Sequence, residues 1–217
     1  PYLEILAREL NQDVFLFWTG DAVVGTISRK GAETFRRISG HRLFLWDNYP
    51  VNDAQPTMHL GPVIDRDPDL CAVVDGYMSN PLCQQNEINR IPLLTCLDYA
   101  WNPDAYDPLR SVGQAILLQA DTPAQREVLR ELVEAYPGML ICGRPSTGFN
   151  AVLDQFQRIA GAPHSRFAAQ AYLDKLQQLS ARLRQEFPAR YEPEKRTLDN
   201  DITIIKKRLS AKYNNVA

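Results

Sequence analysis

The sequence predicts an α/β unit followed by an all-α unit, with the change near residue 106. Three observations carry this prediction. Short apolar runs at residues 14–18 and 43–46 are each stopped abruptly by turn-forming residues, as in strands covered on both faces. These runs alternate with segments of helical spacing, an order that yields parallel strands joined by crossovers. From Asp107 onward the apolar pattern is helical throughout, and no strand-like run follows.

Leu3, Ile5, Leu6 and Leu10 have helical spacing, and Asn11-Gln12-Asp13 ends that helix before the first strand at 14–18. Ser28 is placed to cap a helix that runs through Phe35 and Ile38 and stops at Gly40. The second strand follows at once. Asp67-Pro68 is a cap and first-turn pair for a short helical segment containing Leu70, Val73 and Val74. A third strand spans 76–81 and ends at proline, and a helix follows over 91–99 with Pro92 in its first turn.

In the second half, Asp107-Pro108 and Thr122-Pro123 each start a helix, the latter with a capping-box residue at Gln125. Leu153, Phe156 and Ile159 mark a third helix that stops at Gly161. A long fourth helix from about Ser165 is expected to bury Phe167, Ala171, Tyr172, Leu176, Leu179 and Leu183. A fifth runs from about Pro193 through Leu198, Ile202, Ile205 and Leu209. Phe35, Phe156, Phe167 and Tyr172 fall at helical spacing among other apolar residues, which is the pattern of core packing.

With 24 basic and 26 acidic residues, the net charge of −2 implies neither nucleic acid nor an anionic membrane as partner. The run Lys206-Lys207-Arg208 lies late in a helix, where cations suit the dipole, and reads as a solvated face. Cys71, Cys83, Cys96 and Cys142 form no CxxC pair and share no zinc-like spacing with His41, His59 or His164, so no metal is expected. That cysteine usage is compatible with a reducing, cytoplasmic compartment. No apolar stretch approaches the roughly 20 residues that span a bilayer. No basic-then-apolar leader opens the chain at Pro1, although export stays open because the gene need not begin there.

The densest polar cluster closes the second strand, in Leu43-Phe44-Leu45-Trp46-Asp47-Asn48-Tyr49-Pro50-Val51-Asn52-Asp53. Ligand sites of α/β folds lie just beyond the carboxyl ends of such strands. Trp46, Asn48 and Asp53 are therefore candidates, with ordinary turn residues as the competing interpretation.

Five segments, in order, resemble the catalytic domain of the family-84 glycoside hydrolases, the β-N-acetylglucosaminidases that include O-GlcNAcases. Phe17-Trp18-Thr19-Gly20 followed by Val23-Val24 is similar to that family's WTG…VV segment, and residues 46–53 are similar to its W-x-N-x-x-x-x-D segment. Leu60-Gly61-Pro62-Val63, Ser79-Asn80-Pro81 and Tyr99-Ala100-Trp101-Asn102-Pro103 follow at fitting distances. The resemblance implies a (β/α)8 barrel of which residues 1–106 are the last three units, with a helical bundle over 107–217. Such a barrel needs eight strands, so an upstream piece of a larger protein is expected to supply the rest.

The implied reaction is retaining hydrolysis in which the sugar's own N-acetyl oxygen attacks the anomeric carbon. In the family an adjacent aspartate pair orients that group and supplies the general acid and base. No Asp-Asp dipeptide occurs in this sequence, so no catalytic residue is carried over and this polypeptide alone is expected to be inactive. The sugar wall is carried over: Asp53 for the outer hydroxyls, Asn48 near the reacting centre, Asn80 for further hydroxyls, Trp46 against the acetamido methyl, and Val23 at the pocket mouth. The expected ligand is a GlcNAc-bearing glycoprotein or glycan, and this chemistry calls for no cofactor. The alternative is a non-catalytic interaction module whose strands are a degenerate barrel remnant.

Overall fold

The computed structural model describes residues 2–53, 57–138, 140–141, 144–145 and 150–213. Helix α1 (Tyr2–Glu9) precedes strand β1 (Leu16–Trp18), helix α2 (Arg29–Ser39), strand β2 (Leu43–Pro50), a 3-10 turn at Pro68–Ala72, strand β3 (Gly76–Asn80) and helix α3 (Arg90–Trp101). The three strands form one parallel sheet in the order β1-β2-β3. Helices α4 (Pro108–Leu117), α5 (Pro123–Ala135), α6 (Ala151–Gly161), α7 (Arg166–Glu186) and α8 (Glu192–Tyr213) follow.

The capping chemistry places most helix ends where the sequence puts them. Ser28 accepts from the Gly31 amide at 3.0 Å, and Gly40 closes α2 with φ of 67°, a left-handed value that glycine adopts without strain. Asp107 and Thr122 cap α4 and α5. Gln125 reaches back to the Asp121 amide at 2.9 Å, one residue before the cap. Pro92 lies in the first turn of α3.

Four expectations are corrected. Asp67 does not cap the segment after it. Its carboxylate accepts from the Arg29 amide at 2.8 Å, serving the start of α2, 38 residues earlier in the chain. The first strand is three residues long, and Phe17 is 55% exposed, because the sheet face opposite the helices is uncovered among the described residues. Phe167 is 87% exposed, Ala171 is also outward and Tyr172 is half-buried; Leu176, Leu179 and Leu183 are buried as expected, in one stripe with Ala169, Leu173 and Ser180, and position 167 is about 200° from 169 around the helix. Two short strands, β4 (Leu140–Ile141) and β5 (Arg144–Pro145), pair antiparallel after α5; two residues each are too few to show a period. Cys142 lies outside the described residues; Cys96 is buried, while Cys71 and Cys83 are exposed.

Two apolar clusters result. One joins Trp18, Leu43, Leu45 and Tyr49 to Ala32, Cys96 and Tyr99 beneath the sheet. The other fills the bundle, and it also takes in Met58, Leu60, Leu82 and Ile88 from the loops beyond β2 and β3. The strand-end loops are therefore packed on the bundle. At their closest approach a side chain at Gly61 would lie 2.0 Å from the Pro137 carbonyl oxygen, so only glycine fits. Tyr49 donates to the Gly61 carbonyl at 2.6 Å, and the Leu60 amide donates to Tyr136 O at 2.8 Å.

Candidate active site

Alternation along β2 sorts its side chains into two sets. Leu43, Leu45, Asp47 and Tyr49 are buried on the helix side, while Phe44, Trp46 and Asn48 stand half-buried on the other. That second face is aromatic. The Phe17 ring meets Phe44 edge-on at 5.5 Å and Trp46 at 5.6 Å, and Met78 lies beside Trp46 in register. The register of β2 with β3 shifts between Asp47 and Pro50 and brings Asn80 alongside the end of β2.

The polar end of this face is a hydrogen-bonded set centred on Asn48. Its Oδ1 accepts from Trp46 Nε1 at 2.9 Å and from Asn80 Nδ2 at 3.1 Å. Its Nδ2 donates to the Val23 carbonyl at 2.8 Å. Trp46 thus has its indole N–H satisfied within the protein, leaving the ring to act as an apolar surface. One amide hydrogen of Asn48 and the side-chain oxygen of Asn80 make no bond among the described residues. Asp53 follows at the loop, exposed, and no bond among the described residues draws it into the set. Four of the five residues expected from the sequence are therefore physically joined, and Asp53 stands beyond them.

Beneath this face is an ion pair. Asp47 is 0% exposed and Arg66 3%; the guanidinium donates to both carboxylate oxygens, at 2.8 and 2.5 Å, and Tyr77 donates at 2.8 Å. Burial alone would lower the Arg66 pKa, and the Asp47 carboxylate more than offsets it, so the group is held above its ordinary value. Burial also pushes the Tyr77 hydroxyl far up and the Cys96 thiol up to about 12, so both stay neutral. The pair ties β2 to the segment leading to the 3-10 turn and braces the strand that carries Trp46 and Asn48.

Sequence reasoning did not single out Asn52. It is buried, donates to Thr57 O at 2.5 Å and to Gln85 Oε1 at 2.9 Å, and accepts from the Cys83 amide at 2.8 Å. One side chain thereby clamps the loops after β2 and β3, next to Asp53. The signal available was its place in a run of polar residues ending a strand, which ordinary turns share. Asp47 had a clearer signal, since its odd position in β2 faces the helix layer, where an unpaired carboxylate would be costly.

The parallel sheet, with amides and a tryptophan joined at its strand ends, defines an α/β protein. The sequence model of the β-N-acetylglucosaminidase family matches residues 1–134. The chain belongs to that family, the family-84 glycoside hydrolases. It is 31% identical over 86 residues to the protein O-GlcNAcases of Rattus norvegicus and Mus musculus, a match covering 39% of this chain and 9% of each relative. Its fold is similar to a mutant of the Thermobaculum terrenum O-GlcNAc hydrolase, with a TM-score of 0.66 and 23% identity over 96% of this chain and 45% of that one. It is also similar to CpGH84B, with a TM-score of 0.63 and 24% identity over 95% of this chain and 36% of that one. The chain thus spans less than half the length of these relatives.

Proposed function

We propose that this chain forms one wall of the sugar site of a retaining β-N-acetylglucosaminidase of O-GlcNAcase type. In this reading residues 1–106 are the last three units of a (β/α)8 barrel, residues 107–217 are a helical bundle, and an upstream segment supplies the other strands. The observation that carries it is the set in which Asn48 joins Trp46, Asn80 and Val23 at the carboxyl ends of parallel strands. Support for the barrel comes from the exposed apolar side chains of Phe17 and Met78 on the face opposite the helices.

The substrate is a GlcNAc-bearing glycoprotein or glycan. Asp53 accepts from the outer hydroxyls of the ring, a carboxylate left unpaired by sugars that lack those donors. Asn48 donates its remaining N–H near the reacting centre, Asn80 binds further hydroxyls, and Trp46 packs against the acetamido methyl, with Val23 at the mouth. The acetamido oxygen is the nucleophile, so the protein supplies orientation and a proton shuttle. The adjacent aspartates that do this in the family have no counterpart here, since no Asp-Asp dipeptide occurs in the sequence. The test is incubation of this polypeptide alone with an aryl β-GlcNAc. No turnover is expected, and measurable hydrolysis would overturn the division of labour.

A further inference from the structure

A groove of about 970 Å³ runs between the loops after β2 and β3 on one side and α6 with α8 on the other. Arg196, Asn200 and Lys207 line it along one face of α8, over about three turns, facing Thr57 and Gln84. Thr57 is 2% exposed and its hydroxyl has no partner among the described residues. Arg196 and Lys207 are exposed and make no ion pair among the described residues.

The charges around the groove set a register. Glu192 and Glu194 act electrostatically on Arg196, but Glu192 is held by Lys195 at 2.6 Å, and burial raises the Glu194 pKa towards the neutral acid. Asp201 lines the middle, with its oxygens taken by Tyr136 at 2.7 Å and Asn150 at 2.8 Å, and burial raises its pKa too. The groove is thus cationic at both ends and faintly acidic between. From Arg196 to Lys207 the helix rises about 16 Å, a span that an extended chain covers in about five residues. Gln84, Asn200 and the Thr57 hydroxyl offer both donors and acceptors, as a peptide backbone requires. Among the described residues that line the groove there is no aromatic ring to stack on a sugar.

We propose that this groove binds an extended acidic peptide whose two carboxylates, six residues apart so that alternation puts both on the face turned to α8, are held by Arg196 and Lys207. Asn52 links its loop wall to Asp53. Resting on the glycosidase reading, the peptide is then the polypeptide side of a GlcNAc-bearing substrate.

The test uses a sugar-free seven-residue peptide with glutamates at its first and seventh positions, titrated into this chain at low salt by fluorescence anisotropy. It should bind at least tenfold more tightly than the glutamine version or a version with two adjacent glutamates. The Arg196→Gln/Lys207→Gln variant, altered only at exposed positions, should lose that preference, and Thr57→Val should weaken binding severalfold. Equal binding of the glutamine peptide, full binding by the double variant, or binding of an acidic oligosaccharide with no peptide bound would overturn the proposal. Because the probe carries no GlcNAc and nothing is hydrolysed, its failure leaves the glycosidase reading standing. Loss of that reading in an activity assay likewise leaves peptide binding intact.

Discussion

Replacing Asp47 by asparagine removes one charge of the buried pair and leaves the other. Arg66 is 3% exposed and fixed by two bonds to Asp47, with further donation to the Ile64 carbonyl at 2.6 Å. It cannot deprotonate, so the variant strands a guanidinium in an apolar layer between Tyr77 and Tyr49. Breaking such a pair costs about 3–5 kcal/mol, which in a chain of this size lowers Tm by roughly 6–20 °C. Urea unfolding followed by tryptophan fluorescence and far-UV circular dichroism reads the cost. Arg66→Met completes the cycle, and the double variant should cost about 2–3 kcal/mol less than the sum of the two single ones. A loss below about 1 kcal/mol for Asp47→Asn, or additivity of the singles, would refute the view that this pair braces the sheet.

The other predictions concern the strand-end loops and the site. Burial holds His59 down at about 4 against 6.5, so the unfolded chain binds the extra proton between those values. Its contribution to stability is full above pH 6.5 and lost as pH falls towards 4, about 3 kcal/mol in all; His59→Asn should flatten the pH dependence of the urea midpoint, and an unchanged slope would contradict this. Gly61→Ala forces a methyl against the Pro137 carbonyl and should destabilise by about 3 kcal/mol or more in the same assay, whereas a neutral result would mean that the loop and α5 separate easily. In the complete protein, Asn48→Ala should lower kcat/KM on an aryl β-GlcNAc by at least tenfold, since it frees Trp46 and Asn80 together. Unaltered kinetics would remove Asn48 from the site.

Much of the fold was legible because local chemistry and tertiary packing agree. Ser28, Asp107 and Thr122 start helices and Gly40 stops one by bonds spanning a few residues, whereas β2, expected to be covered on both faces, leaves one face half-buried. Where the controlling contact is distant, the sequence misled. Asp67 looks like a local cap, but its partner is the Arg29 amide. Phe167 is apolar and sits near a helical stripe, yet the packing partners of α7 select Ala169 and Leu173. In the site, the spacing of Trp46, Asn48 and Asp53 was visible as a motif. The bond from Asn80 to Asn48 was not, because it depends on the register shift between β2 and β3. The clamp made by Asn52 and the contact of Gly61 with Pro137 were equally hidden, since each joins segments that only folding brings together.

In the proposed site the GlcNAc ring is gripped through Asp53, three residues past β2. Turnover of an aryl β-GlcNAc by the complete protein, wild type against Asp53→Ala, tests it most directly. Loss of a carboxylate bonded to sugar hydroxyls should cost about 2 kcal/mol or more of transition-state binding, a fall in kcat/KM of roughly 30-fold. An unchanged kcat/KM would contradict the account.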